Sequence, residues 1–344
     1  MGGRPPRLAM ALPLVALLAA CDAARGPVFD WGHSGPTGDP QCGAGVTCGL
    51  KGEYFQMPSY EGRAFNVGGL ALTRIDPQIS FDWGTGTPDT ALAGSAFMAR
   101  WTGFVRLPSV GGATGGQVYR FTVSADDGVR LWVDERLVID DWADHTLTED
   151  AGDVTLAPGT SVPIKLEYYQ HTGVASVALS AAPAGQTPSP IPASALAPPS
   201  ESYGLLATYF AGASFEAAAL ARIDQDVAFR WGLVSPDPFV PADRFSARWT
   251  GTVEARYAEV YTFATRVAET NEGVRLSVND TTVIDAWTAP PTVDSRGTIA
   301  LEAGRRYPIT LEYSETIGAA TIELLWSSAS QPEARVAWNR LRPP

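Results

Sequence analysis

Two adjacent carboxylates, Asp126 and Asp127, followed by Gly128, have the clearest capacity for chemistry in this 344-residue chain. Together they offer hard oxygen donors of the kind that calcium collects into a flexible shell. On an extended strand, neighbouring side chains point to opposite faces. Both acids can therefore meet one ion only if the backbone turns sharply between them. The same three residues also suit a plain polar turn, where Asp and Gly are favoured by local hydrogen bonding and positive φ. Residue type and spacing leave both readings open.

A second copy of the surrounding sequence supplies a comparison. Tyr119, Phe121 and the run Val129-Arg130-Leu131-Trp132-Val133 recur as Tyr261, Phe263 and Val274-Arg275-Leu276-Ser277-Val278. Where the first copy has Asp126-Asp127-Gly128, the second has Asn271-Glu272-Gly273, with three residues inserted before the glycine. The change alters charge and reach, so the expectation is a metal ion in the first copy and a packing or spacer role for the second, with at most weak binding through Glu272.

Few other residues could do chemistry. The three histidines, His33, His145 and His171, fall in no nucleophile–base motif, and none lies in the second copy. Nucleophilic catalysis needs such a base, held by a third group. No phosphate-cradling glycine loop or zinc spacing is present, so the chain reads as a non-enzyme. Cys42 and Cys48 lie close together in Gly-rich sequence, and in an exported protein they read as a small disulfide loop.

The N-terminus supports export. Arg4 and Arg7 precede an apolar run, Leu8 to Ala20, that is too short to span a bilayer. It ends Leu18-Ala19-Ala20-Cys21, similar to a bacterial lipobox, in which the cysteine is lipidated. The expected product is exported and lipid-anchored to the bacterial envelope, at the outer membrane or cell surface. The lipid is its only expected contact with a membrane. A formal charge of −12 repels phosphate backbones and argues against nucleic acid as a partner.

The elements that must position the acids are strands. Apolar residues make up 45 % of the chain, while Gly (34) and Pro (27) are frequent, as suits short strands and many turns. Tyr119, Phe121 and Val123 alternate with polar neighbours at period two. Asp134-Glu135-Arg136 reads as a turn, and Asn279-Asp280 at the same place in the second copy is a hairpin signal. Val162–Tyr169 and Ala175–Leu179 read as a second hairpin across His171-Thr172-Gly173. Pro163 suggests an edge strand or a strand start. The repeat period is that of a whole domain, so each copy should own a core. The expected organisation is a signal peptide (1–20), a tether with the possible disulfide (21–48), a first β domain (49–198), a short joint (199–203) and a second β domain (204–344).

Several blocks occur in order in both copies. They include Phe81-Asp82-Trp83-Gly84 with Phe229-Arg230-Trp231-Gly232, and Arg100-Trp101-Thr102-Gly103 with Arg248-Trp249-Thr250-Gly251. With Asp126-Asp127-Gly128, Val138-Ile139-Asp140-Asp141-Trp142 and Leu166-Glu167-Tyr168-Tyr169, these resemble the protective-antigen-type domain of anthrax toxin and yeast flocculins. The resemblance covers nearly everything from Gly49 onward. It implies an all-β fold of two tandem antiparallel sandwiches or barrels. In lectin members two neighbouring aspartates, joined by an unusual cis peptide, hold a calcium ion that binds sugar hydroxyls. Asp126 and Asp127 match those positions. The remaining ligands would come from Gln170, His171, Thr172 and Gly173. The lectins use an asparagine there and this chain has none; Gln170 could supply a carbonyl oxygen, whereas His171 suits calcium poorly.

The resemblance thus implies Ca²⁺-dependent binding of carbohydrate, or of an envelope polymer, through the first domain. The alternative is a non-catalytic structural or protein-interaction module of the cell envelope. The tryptophans repeated in both copies, and Trp132, Trp326 and Trp338, which are not repeated, are expected to pack. Arg100 and Arg248 are expected to pair with carboxylates or carbonyls.

Overall fold

A computed structural model describes residues 47–57, 65, 69–110, 112, 115–288 and 293–344. The signal, the lipidation candidate Cys21 and Cys42 lie outside the described residues. Cys48 is disulfide-bonded. Among the described residues there is no α-helix; short 3₁₀ turns lie at Ala193–Ala195 and Trp338–Arg340.

Each copy forms two antiparallel sheets. In the first copy the larger sheet runs Leu70–Asp76, Leu50–Gln56, Phe97–Arg106, Ser161–Gln170, Val129–Val133, Arg136–Asp141, with Leu196–Ala197 added beside Phe97–Arg106. The smaller runs Ser189–Pro190, Ala175–Pro183, Gln117–Asp126, Thr148–Leu156, with Ser80–Gly84 also paired to Ala175–Pro183. The second copy repeats the order of the larger sheet strand for strand, and both copies place their long central strands in the same way. Alternation drives this: along Gln117–Asp126 the residues Tyr119, Phe121, Val123 and Ala125 are all buried. Each copy has its own apolar core, one built from residues between Leu50 and Leu196, the other between Leu205 and Leu341.

The tight hairpins form as expected. Asp134 and Glu135 both have positive φ (49° and 68°), as do Asn279 and Asp280 (51° and 56°), the pattern of a two-residue turn whose twist matches its strands. The second expected hairpin does not form. Ser161–Gln170 pairs with Phe97–Arg106 and Val129–Val133 in the larger sheet, while Ala175–Pro183 belongs to the smaller one. Residues 171–174 therefore carry the chain across the sandwich. Pattern alone cannot tell such a corner from a hairpin, because both join two apolar strands through a short polar loop. Pro163, likewise, is not on an edge strand. It sits near the start of a central strand, one residue before the pairing with Val129–Val133 begins at Ile164.

The recurring tryptophans pack. Trp101 and Trp249 are fully buried, and each indole donates to a buried aspartate, Asp76 (2.7 Å) and Asp224 (2.8 Å). Tyr54 and Arg74 complete the first hub, Tyr209 and Arg222 the second. This explains why Arg74-Ile75-Asp76 recurs as Arg222-Ile223-Asp224: a buried carboxylate must be fully satisfied. Arg100 pairs with Glu53 and approaches Asp226, and Arg248 pairs with Glu312.

Candidate functional site

The same topology that removes the hairpin assembles the site. Asp126 ends one strand of the smaller sheet, and Val129 begins one of the larger, so Asp126-Asp127-Gly128 is a sheet-crossing corner. The 171–174 segment is a second such corner. The backbone N–H of His171 donates to Asp127 Oδ2 at 2.9 Å, so the two corners meet. A third segment, following Arg136–Asp141, closes over them. His145 N–H donates to Asp127 Oδ1 at 3.1 Å, and the Leu147 N–H donates to the Asp126 carboxylate. Among the described residues only the Asp126–Asp127 peptide is cis.

Gly128 allows this closure. A Cβ there would lie 2.2 Å from the Tyr169 ring and 3.0 Å from the Ala143 carbonyl. Tyr169 in turn donates to Asp144 (2.7 Å), which also contacts His171 Nδ1 at 3.1 Å. Of the neighbouring acids, Asp140 pairs with Arg130 and Asp141 faces His145.

Asp127 is buried, whereas Asp126 is half-buried. Burial, and then the charge of Asp127, push the Asp126 carboxyl above its ordinary range, opposed by His145 and the Leu147 N–H. Two like charges held together favour a counter-charge, whether proton or cation.

Tyr168 supplies the test of fit for a metal. Its hydroxyl lies 2.5 Å from the Asp126 carbonyl oxygen and 2.9 Å from Gln170 Oε1. A hydroxyl has one proton to donate. It is shared between these two acceptors, the Asp126 carbonyl and Gln170 Oε1. The other end of this fully buried amide, Gln170 Nε2, has no hydrogen-bond partner among the described residues. Among the described residues no group of three or more His, Cys, Asp or Glu is placed to hold a metal ion. Any ion here would rest on two carboxylates plus carbonyl oxygens, a donor set that suits calcium and not zinc.

Of the expected site residues, Asp126, Asp127, Gln170 and His171 come together, while Thr172 and Gly173 lie on the exposed rim. His171 meets Asp127 through its backbone N–H, and its ring turns to Asp144. Tyr168 and the backbone of 145–147 were not singled out from sequence. The recurrence of Tyr168 as Tyr313 was the available signal. Leu147 (65 % exposed) and Val174 (50 % exposed) stand on the loops that flank the acids.

The second copy differs at this place. Glu272 is buried, and its carboxylate accepts from the Tyr313 hydroxyl and the backbone N–H groups of Thr321 (3.1 Å) and Glu269 (2.6 Å). Asn271 donates to the Ile317 carbonyl. The longer acid thus reaches inward and is consumed by protein donors.

The PA14 domain family model matches residues 48–195 and again 201–342. The chain is 38 % identical over 304 residues to the anti-sigma-I factor RsgI3 of Acetivibrio thermocellus, across 86 % of this chain and 45 % of that protein. It therefore spans about half the length of this curated relative. Among solved structures, an anti-sigma factor domain-containing protein from Clostridium clariflavum is 30 % identical, covering 86 % of this chain and 100 % of its own, with a TM-score of 0.42. A PA14 sugar-binding domain from an RTX adhesin is 18 % identical, covering 45 % of this chain and 100 % of its own, with a TM-score of 0.37. Two matched stretches account for most of the sequence, and the chain belongs to the PA14 domain family, whose domain it carries twice in tandem.

Proposed function

We propose that this is a non-catalytic, lipid-anchored envelope protein that binds glycan through a calcium ion held by its first domain. Asp126 and Asp127 would carry the charge of the site, with the Gln170 carbonyl and backbone carbonyls of 171–173 completing the oxygen set. A bound calcium ion supplies a Lewis-acidic centre to which vicinal sugar hydroxyls can coordinate. The chain's own residues do the rest. His145 and His171 orient Asp127 through backbone N–H groups, Tyr168 fixes the Asp126 carbonyl, and Leu147 and Val174 offer apolar surface to the C–H face of a sugar. The observation that supports this most is the meeting of the Asp126-Asp127 corner with the 171–174 corner.

The experiment is calcium titration calorimetry followed by a glycan array with and without chelator. Glycan binding that survives both chelation and the double change Asp126→Ala, Asp127→Ala removes the proposal. Lipid attachment is tested separately by fatty-acid labelling of the wild type and Cys21→Ala.

One observation favours a structural or protein-interaction module instead: both Asp127 oxygens already accept backbone N–H groups. In that reading any calcium only stiffens the loops. An ion whose shell is closed by protein oxygens, with no position for a hydroxyl, would decide for it.

A further inference from the structure

The seam between the two domains encloses a cavity of about 310 Å³, within the size range of small-molecule sites. Its walls come from both copies. Trp132, Leu137 and Lys165 belong to the first, and Arg230, Asp226 and Trp338 to the second. None of these takes part in the Asp126–Asp127 site.

Three features of the seam bear on its use. The first is that its aromatic residues break the repeat. Trp132 stands where the second copy has Ser277, and Trp338 where the first has Ala193, although the surrounding strands and 3₁₀ turns are shared. Core positions of the duplicated fold do not require these indoles.

The second is charge balance. Five cationic and five anionic side chains line the cavity. They are paired along its walls: Lys165 with Asp226 (2.5 Å) from one copy to the other, Arg230 and Arg335 with Glu323 (3.2 and 3.0 Å) within the second copy, and Arg130 with Asp140 (2.8 Å) within the first. An ionic ligand would have to break such pairs at a desolvation cost. Hydroxyl groups need not, because paired guanidinium groups keep spare N–H donors and paired carboxylates keep spare lone pairs. Donor and acceptor side by side match vicinal hydroxyls.

The third is apolar surface in the same wall. Leu137 is 49 % exposed and Trp132 is half-buried with Lys165 Nζ 4.1 Å from its ring, while Trp338 is buried behind them against Phe104 and Tyr203. Flat apolar surface next to paired polar groups suits a ring that is apolar on its face and hydroxylated at its edge.

We propose that the interdomain seam is a second binding site, for a neutral oligosaccharide, that needs both domains and no metal ion. It does not depend on the calcium-site reading. The test is calorimetry on the full two-domain protein in excess EDTA, with cellohexaose, xylohexaose, mannohexaose and maltohexaose as neutral probes and trigalacturonate as the charged comparator. At least one neutral hexaose should bind. Its affinity should fall at least tenfold in Leu137→Arg, which fills the groove from an exposed position, and in Trp132→Ala. Circular dichroism and melting of Leu137→Arg would establish that the loss is not unfolding. The proposal is overturned if no neutral hexaose binds in EDTA, if only trigalacturonate binds, or if folded Leu137→Arg binds as wild type.

Discussion

Tyr168 and Tyr313 hold equivalent places in the two domains but spend their single hydroxyl proton differently. Tyr168 donates to the backbone carbonyl of Asp126, and Tyr313 to the carboxylate of Glu272. In the first domain the tyrosine holds backbone and leaves both acids facing their loops. In the second it helps neutralise an acid that has turned inward. Tyr168→Phe should therefore cost about 1 kcal/mol of stability, the worth of one hydrogen bond, and weaken calcium binding several-fold. Tyr313→Phe should leave calcium binding unchanged while destabilising its domain more, because it strips a donor from a buried carboxylate. Thermal melts and calcium titrations on the two variants check this.

Glu315 occupies the position that Gln170 holds in the first domain. Burial pushes its carboxyl up to about 7, against the Arg244 N–H that lowers it, and Asp243, Glu272 and Glu269 add to the rise. The folded state thus holds a proton that the unfolded chain, near 4.5, releases earlier. By linkage the stabilisation is full below the unfolded value and is lost as pH rises through about 7. The melting temperature should fall between about pH 5 and 8. Glu315→Gln should flatten that slope and add about 1–2 kcal/mol at pH 8. An unchanged slope in the variant would assign the effect elsewhere.

Lys165 and Asp226 join the domains in a buried ion pair, with Arg100 close by. Burial pushes the Asp226 carboxyl up, but Lys165 and Arg100 outweigh it and hold it well below the usual range. The pair is therefore intact at neutral pH and fails only in strong acid, as pH drops through that lowered value. Asp226→Ala should cost about 1.5–3 kcal/mol, the worth of a charged hydrogen bond, because Lys165 loses its shorter contact but keeps Glu167 at 3.2 Å. Adding Lys165→Met should deepen the loss, because it takes from the buried Glu167 its lysine partner. Urea unfolding, with limited proteolysis at the joint, reads both.

Gly128→Ala places a methyl 2.2 Å from the Tyr169 ring. The ring must move, and with it the Asp144 contact that steadies His171. A destabilisation of about 1–3 kcal/mol is expected, together with loss of calcium binding. Gly173→Ala offers the contrast: its φ of 93° disfavours a side chain, but no atom lies within 4 Å of the added methyl.

Much of this molecule could be read in one dimension because it was written twice. Residues kept in both copies, such as Trp101 with Trp249 and Asp76 with Asp224, mark the buried hub each domain needs, and alternation along Tyr119–Val123 marks the strands that bury it. The acidic pair was legible too, as a place where the copies diverge. Other features depended on which strands pair. Residues 171–174 read as a hairpin loop but cross between sheets, and only that crossing brings His171 onto Asp127. The direction of Glu272, the contact of Gln170 with Tyr168 and the seam that unites Lys165 with Asp226 are decided the same way. Local pattern reports which face of a strand is apolar. Contacts between residues far apart in the chain follow from sheet order and domain docking, which the period of a strand does not encode.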